Sequence, residues 1–423
     1  MREMKDSGVE WIGEIPVDWK LNKIKHHFSI SSGTTPKSDE PEYWDGDIVW
    51  ITPADFKTDD VYVSDGHRNL SQEGYRVSSL QLVPAGSIIF SKRAPIGQVV
   101  INAIDLCTNQ GCLTAVLNDD SDVRFYRYVM SIATEEFELA GSGTTFKEIS
   151  ATSFGNILLP LTSKQEQTKC ADYLDVKSSK IDEIIEKQQA IIEKLKEYKL
   201  SIITEAVTSG INPDVEMKDS GSVWFGSIPI NWQMKRLKYV FHIQKDIAGE
   251  EGHTVLSITQ RGIIPKDFSN NEGQFANSYA NYQLVHKGDF AMNHMDLLTG
   301  WVDISKYEGV TSPDYRVFVL NDKNGMCPEY YLYMMQMCYS ARIFYGLGQG
   351  VSGMGRWRLQ ADKFLNFHIP IPPYDEQKII ADYITDKVNH IEVEIDKRNK
   401  LIEKYQEYKK SLIYEVVTGK KEV

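Results

Sequence analysis

The chain has 423 residues, 42% hydrophobic and 25% charged, with a formal net charge of −12. That is ordinary globular composition, long enough for two to four domains. No apolar run approaches the 18 or more residues of a membrane span, and the opening MREMKDSGVEW lacks an apolar signal core, which predicts a cytoplasmic protein. The five Cys, at 107, 112, 170, 327 and 338, form no CxxC pair and no Cys/His cluster, so reduced buried thiols and no zinc are expected. The acidic balance argues only weakly against nucleic-acid binding, because a total does not report how charge is distributed.

In chain order, residues 4–30 (MKDSGVEWIGEIPVDWKLNKIKHHFSI) recur as residues 217–243 (MKDSGSVWFGSIPINWQMKRLKYVFHI), 213 positions later. Trp11 corresponds to Trp224, and the shared GxIPxxW core that ends at Trp19 and Trp232 predicts an extended arm whose Trp and Pro pack against a neighbour. Each arm leads into a mixed body, roughly 20–160 and 233–370. Short apolar runs such as GSIIFS (86–91), GQVVINA (97–103), GDFAMN (288–293) and YRVFVL (315–320) predict strands. Aromatic helices are expected near 123–137 and 328–344. Each body ends in a Gly-rich turn and one further strand, GNILLPL (155–161) and NFHIPIP (366–372).

A second repeat follows each body. Residues 163–210 recur as 373–420 without a gap, an offset of 210. Leu174, Ile181, Ile184, Ile185, Ile191, Ile192, Leu195 and Ile202 fall at helical spacing, as do Ile384, Ile391, Ile395, Leu401, Ile402, Tyr405 and Leu412. Ser163 with Glu166 suggests a capping box, and Gly210 with Pro213 a stop. About 45 residues at 1.5 Å each make a rod of roughly 65 Å. Two such rods can bury their apolar stripes against each other as an antiparallel coiled coil. The alternative is two helices in separate cores. The expected fold is α+β: two mixed α/β bodies joined by two long antiparallel helices, with an approximate internal two-fold. A strut between two unlike reading heads suits DNA, whose grooves repeat about every 34 Å.

The duplicated arm–body–rod plan resembles the specificity subunit of type I restriction–modification enzymes. The resemblance covers nearly the whole chain. It rests on SGTTPKSDEPEYWDGDIVWITPADF (32–56), SKRAPIGQVV (91–100), LPLTSKQEQ (159–167), HKGDFAMNHMDLLTGWVDI (286–304), GVTSPDYRVFVL (309–320) and IPIPPYDEQ (369–377). It implies two target-recognition domains, at 1–160 and 213–370 (with its arm at 217–243). It also implies a central spacer helix at 161–212 and a C-terminal one at 371–423. By the same resemblance the partners are double-stranded DNA with a bipartite site, two methyltransferase (M) subunits and, through the complex, restriction (R) subunits. S-adenosylmethionine, ATP and Mg are then expected on those partners, with no cofactor and no chemistry in this chain.

Motifs for chemistry are poor. Ile371-Pro372-Pro373-Tyr374 lacks the Asp or Asn that would hold a target adenine amine, and reads as a helix start. Gly348-Gln349-Gly350-Val351-Ser352-Gly353 fits GxGxxG but lacks the strand–turn–helix setting. No GxxxxGK[ST] loop is present. His26-His27 has no acid or thiol beside it in sequence and is expected to be solvated or backbone-facing.

The Gly-rich turns, 141–147 and 346–358, are better placed to touch DNA: small residues let amides approach phosphate, and Thr, Gln, Lys and Arg reach bases or backbone. Candidate DNA-binding residues there are Thr144, Thr145, Lys147, Gln349, Ser352, Arg356 and Arg358. Lys92-Arg93 and Asn293-His294, at matching points of the two bodies, join them, with Thr35 and Lys37. Tyr43-Trp44 could flank DNA or simply pack. Two other readings stay open: a self-sufficient DNA methyltransferase or nuclease, and a coiled-coil adaptor that binds only protein.

Overall fold

The computed structural model describes residues 2–56, 61–93, 95–143, 147–268, 278–350 and 357–423. The chain divides into two compact units, Met1–Gln188 with Lys400–Val423, and Gln189–Asn399. Each unit therefore holds one arm and body, the start of the long helix that follows it, and the end of the other long helix.

In the first unit a five-stranded sheet has the order Phe28–Ser32, Cys112–Leu117, Ile88–Ser91, Val99–Asn102, Tyr62–Val63, antiparallel except for the last pair. Its central strands are buried throughout, which is why they read as unbroken apolar runs. The helix Val123–Ile132 buries Phe125, Tyr126, Tyr128, Val129 and Met130. In the second unit the sheet order is Phe241–Gln244, Arg316–Leu320, Phe290–Met292, Val302–Ile304, all antiparallel. Phe241, Phe290 and Phe318 pack edge-on and stacked at 4.9–5.3 Å beside the helix Pro328–Ser340.

The arms fold alike. Met4–Asp6 pairs with Glu14–Pro16, and Met217–Asp219 with Ser227–Pro229. Lys20–Lys23 then pairs with Leu158–Leu161, and Gln233–Arg236 with His368–Ile371. Each arm is thus hydrogen-bonded to the strand that leads into its own long helix. Trp19 and Trp232 are fully buried. They lie against the C-terminal glycines of the long helices: Trp19 and Pro16 against Gly419, Trp232 and Pro229 against Gly210. Both glycines have positive φ (+73° and +77°), the left-handed turn that ends a helix and that a Cβ disfavours.

The long helices run over Lys164–Ser209 and Tyr374–Val417. Within each unit their segments pair antiparallel. In the first, Cys170 and Leu174 share a core with Leu412, Ile413 and Val416, and Lys409 Nζ bridges both Asp182 oxygens at 2.6 and 2.7 Å. In the second, Ile380 and Ile384 share a core with Ile203 and Val207, and Lys199 Nζ meets Glu392 at 2.6 Å. Adding 210 to Asp182 gives Glu392, and subtracting it from Lys409 gives Lys199, so one cross-helix ion pair is made twice. Two sequence expectations need correction. Leu401 is 38% exposed, outside the stripe. The capping box is half made: Glu166 N–H donates to Ser163 Oγ (3.3 Å), but the Glu166 carboxylate binds Arg2 instead of returning to Ser163.

The EQ pair at each helix start has a structural purpose. Gln167 accepts from Asp122 N–H (2.9 Å) and donates to Thr162 O (2.9 Å). Gln377 accepts from Cys327 N–H (3.0 Å) and donates to Pro372 O (2.9 Å). Asp122 and Cys327 are the N-cap residues of the two aromatic helices. One buried amide therefore satisfies two backbone groups and ties body to rod in each repeat.

Candidate nucleic-acid interface

In the first body the candidates come together around the root of the Gly-rich turn. Ser142 and Glu148 exchange two backbone hydrogen bonds of 3.0 Å, closing the turn. Thr144 and Thr145 lie outside the described residues. Lys147 is exposed. The strand Ile88–Ser91 delivers Lys92 and Arg93 to this root. Lys92 Nζ lies 2.8 Å from Glu148 Oε1, and Arg93 Nη1 lies 3.9 Å from Oε2. Lys92 N–H also donates to Gly111 O (3.0 Å), and the neighbouring Gln110 accepts from the Thr35 hydroxyl. Lys37 is exposed while its carbonyl accepts from Trp44 Nε1 (3.0 Å), and Trp50 Nε1 holds Thr34 O (3.1 Å). Thr35, Lys92 and Arg93 are thus linked by hydrogen bonds and ion pairs to the segments around the turn root, and Lys147 adjoins it in sequence. Trp44 is 5% exposed and packs edge-on against Trp50 at 5.1 Å, so its role is packing.

In the second body the same root is closed by Gln349 and Arg358, which exchange backbone bonds of 2.9 and 3.0 Å. Ser352 and Arg356 lie outside the described residues, as does the Val351–Gly353 part of the GxGxxG string. Gln349 is exposed; Arg358 is half-buried, its Nε–H 2.8 Å from Met295 Sδ. Asn293 is committed to the backbone: its side chain accepts from Met295 N–H (3.2 Å) and its carbonyl accepts from the Tyr339 hydroxyl. His294 O accepts from Leu359 N–H (3.0 Å), which brings His294 to the turn root, while its Nδ1 is buried with no partner among the described residues. Burial, then the charges of Arg316, Arg358 and Lys245, push the His294 imidazole down to about 3, so it is neutral near pH 7.

Sequence reading missed Glu148 and Arg316. Arg316 is 5% exposed; its Nη2 donates to Leu359 O (2.8 Å), its guanidinium lies 4.9 Å over the Phe364 ring, and Nη1 has no partner among the described residues. Burial lowers its pKa to about 10. The available signal was a charge at the start of an otherwise apolar strand, Arg316–Leu320. Glu148 could have been found by extending the 210-residue register, which sets it opposite Arg358.

The His26-His27 expectation holds for His26, which is exposed, and is corrected for His27. His27 is buried, and its Nδ1 lies 2.6 Å from Asp119 Oδ2, an acid 92 positions away that no local pattern reveals. Among the described residues, no group of three or more His, Cys, Asp or Glu is arranged to hold a metal, and no helix is long and apolar enough to cross a membrane. All five cysteines are buried free thiols. Ile371 ends a strand and Tyr374 begins the second long helix, so that string is a helix start.

Two bodies on one plan, each with cations beside a closed turn root and each tied to a long helix, define a duplicated recognition protein. The chain belongs to the family of the type I restriction modification DNA specificity domain, whose model matches residues 16–198 and 229–404. Similar curated proteins include the MjaIX specificity subunit of a type I restriction enzyme from Methanocaldococcus jannaschii, 36% identical over 190 residues, covering 44% of this chain and 43% of that protein. The MjaVIII specificity subunit of the same organism is 22% identical over 428 residues, covering 96% and 93%. The HindI specificity subunit of Haemophilus influenzae is 26% identical over 154 residues, covering 36% and 33%. The first of these alignments thus spans less than half of the relative's length.

Among solved structures, one chain from work on complex assembly and conformational transition of the type I R-M system superposes with a TM-score of 0.69 at 11% identity, covering 95% of this chain and 98% of that one. The HsdS subunit from Thermoanaerobacter tengcongensis gives 0.50 at 12%, covering 96% and 98%. At such identities the likeness is one of fold.

Proposed function

We propose that this chain is the DNA-sequence-specificity subunit of a type I restriction–modification complex. Each body reads one half of a bipartite site, and the long helices set the unread gap. The helices also scaffold two methyltransferase subunits, which bring in the restriction subunits. The chain itself is non-catalytic; S-adenosylmethionine, ATP and Mg act on the partner subunits, in the cytoplasm. The observation that carries this reading is the family match to both repeats, together with a closed Gly-rich turn root in each body that has cations beside it, Lys92 and Arg93 in the first and Arg358 in the second. Such groups position a protein on phosphate and reach base edges.

The test is co-expression with methyltransferase subunits, followed by gel shifts and methylation profiling of a host with and without the chain. New methylation at one bipartite sequence is the expected result. A chain that transfers methyl groups to DNA without a partner, or an assembly that never retards DNA selectively, overturns the reading.

A further inference from the structure

The 210-residue register that aligns the long helices also aligns the C-terminal side of the two turn roots. Glu148 exchanges backbone bonds with Ser142 as Arg358 does with Gln349. One residue on, Ile149 N–H donates to Lys92 O and Leu359 N–H donates to His294 O, both at 3.0 Å. Glu148 and Arg358 therefore occupy one place in the fold with opposite charge, and Lys92 and His294 occupy another. In the first body the acid holds both neighbouring cations, at 2.8 and 3.9 Å. In the second, Arg358 forms no ion pair among the described residues.

We propose that Glu148 is a specificity-determining residue of the first body: it occupies Lys92 and Arg93 as an internal substitute for phosphate, so that DNA gains these cations only by displacing a tethered carboxylate. The inference rests on the DNA-reading function above. Sequence-independent DNA affinity comes from cations that release counterions on meeting phosphate. A cation already neutralised by a fixed carboxylate adds little to that term. Glu148 cannot drift away with its backbone, which is bonded to Ser142 on one side and bridged to Arg93 on the other. The Lys92 side chain is 14% exposed while Glu148 and Arg93 are 41% and 40% exposed, so salt screens the Lys92 bond less than the Arg93 one. On a random sequence the pair stays closed. On the correct half-site, base contacts offset its opening. In the second body Arg358, in the same place, meets no such carboxylate among the described residues.

The test uses the full chain assembled with its methyltransferase subunits, titrated against a random-sequence duplex and its methylated target over a range of salt. E148Q keeps the shape and removes the charge. It should raise random-duplex affinity several-fold and steepen the slope of log K against log salt by about one to two, since each phosphate contact contributes about 0.9. The ratio of target to random affinity should shrink. The K92M/E148Q double variant should give back most of the added slope. Should E148Q fail to fold, E148D, which retracts the charge by one methylene, should move both quantities the same way by less. Unchanged random affinity and slope in a variant whose wild type binds its target overturns the role of Glu148 alone. A wild-type assembly that retards no duplex overturns both this role and the DNA-reading function.

Discussion

Trp232 donates its indole N–H to Glu376 Oε1 at 2.9 Å. Asn231 donates to the other carboxylate oxygen at 3.0 Å. Both residues lie in repeated motifs, yet the first repeat does not make this bond: Glu166 pairs with Arg2 at 2.6 Å, and Trp19 Nε1 is buried with no partner among the described residues. The cause is local. The position of Asn231 is Asp18 in the first repeat, an added negative charge, and Arg2 lies near both acids.

Replacing Glu376 by Ala should therefore destabilise the chain by about 2 kcal/mol, the scale of hydrogen bonds to a charged group. W232F should cost more than W19F by about 1–2 kcal/mol, because only the former loses a bond. Denaturant titration of the variants measures both. Equal costs for the two tryptophans would refute the asymmetry.

The cross-helix pairs should couple weakly and unequally. Lys409 and Asp182 have side chains 22% and 32% exposed and meet twice; Lys199 and Glu392 are 31% and 51% exposed and meet once. A double-mutant cycle should give about 1 kcal/mol or less for the first and a smaller value for the second, both falling as salt is raised.

His294 gives the second body an acid sensitivity. Its folded pKa, about 3, is below the ordinary 6.5, so the unfolded chain binds the proton first. The stability contribution is complete above about 6.5 and is lost as pH falls from there toward 3, at no more than about 1.4 kcal/mol per pH unit. H294Q should flatten this part of the stability–pH curve, read by chemical denaturation between pH 7 and 5. A curve with the wild-type slope would show that other groups dominate.

Removing the charge of Arg358 should weaken DNA binding for all sequences and lower the salt slope by about 0.9 if it meets one phosphate. If it reads a guanine instead, the loss should concentrate on one position of the half-site, at about 1–3 kcal/mol. Affinity measured across single-base variants of the target separates the two.

Inserting one turn, about four residues, into the first long helix should lengthen the tolerated gap or abolish recognition. Methylation at the original spacing would sink the idea that the helices set that gap.

What the sequence determined by itself was whatever depends on periodicity and repetition. Two helices of 46 and 44 residues, two arms, the strands and the aromatic helices lay where their apolar spacing put them. The family strings could be read for the same reason: the buried Gln167 and Gln377 each satisfy two backbone groups, so the motif has little freedom to vary its chemistry. Tertiary structure alone decided which side chains meet. Asp119 reaches His27 across 92 positions, and Glu148 reaches Lys92 across 56, because antiparallel strands and a closed turn bring distant backbone together. No window of sequence contains both members of such a pair. The charge at a site, and therefore whether a lysine is free or already occupied, is a property of the fold.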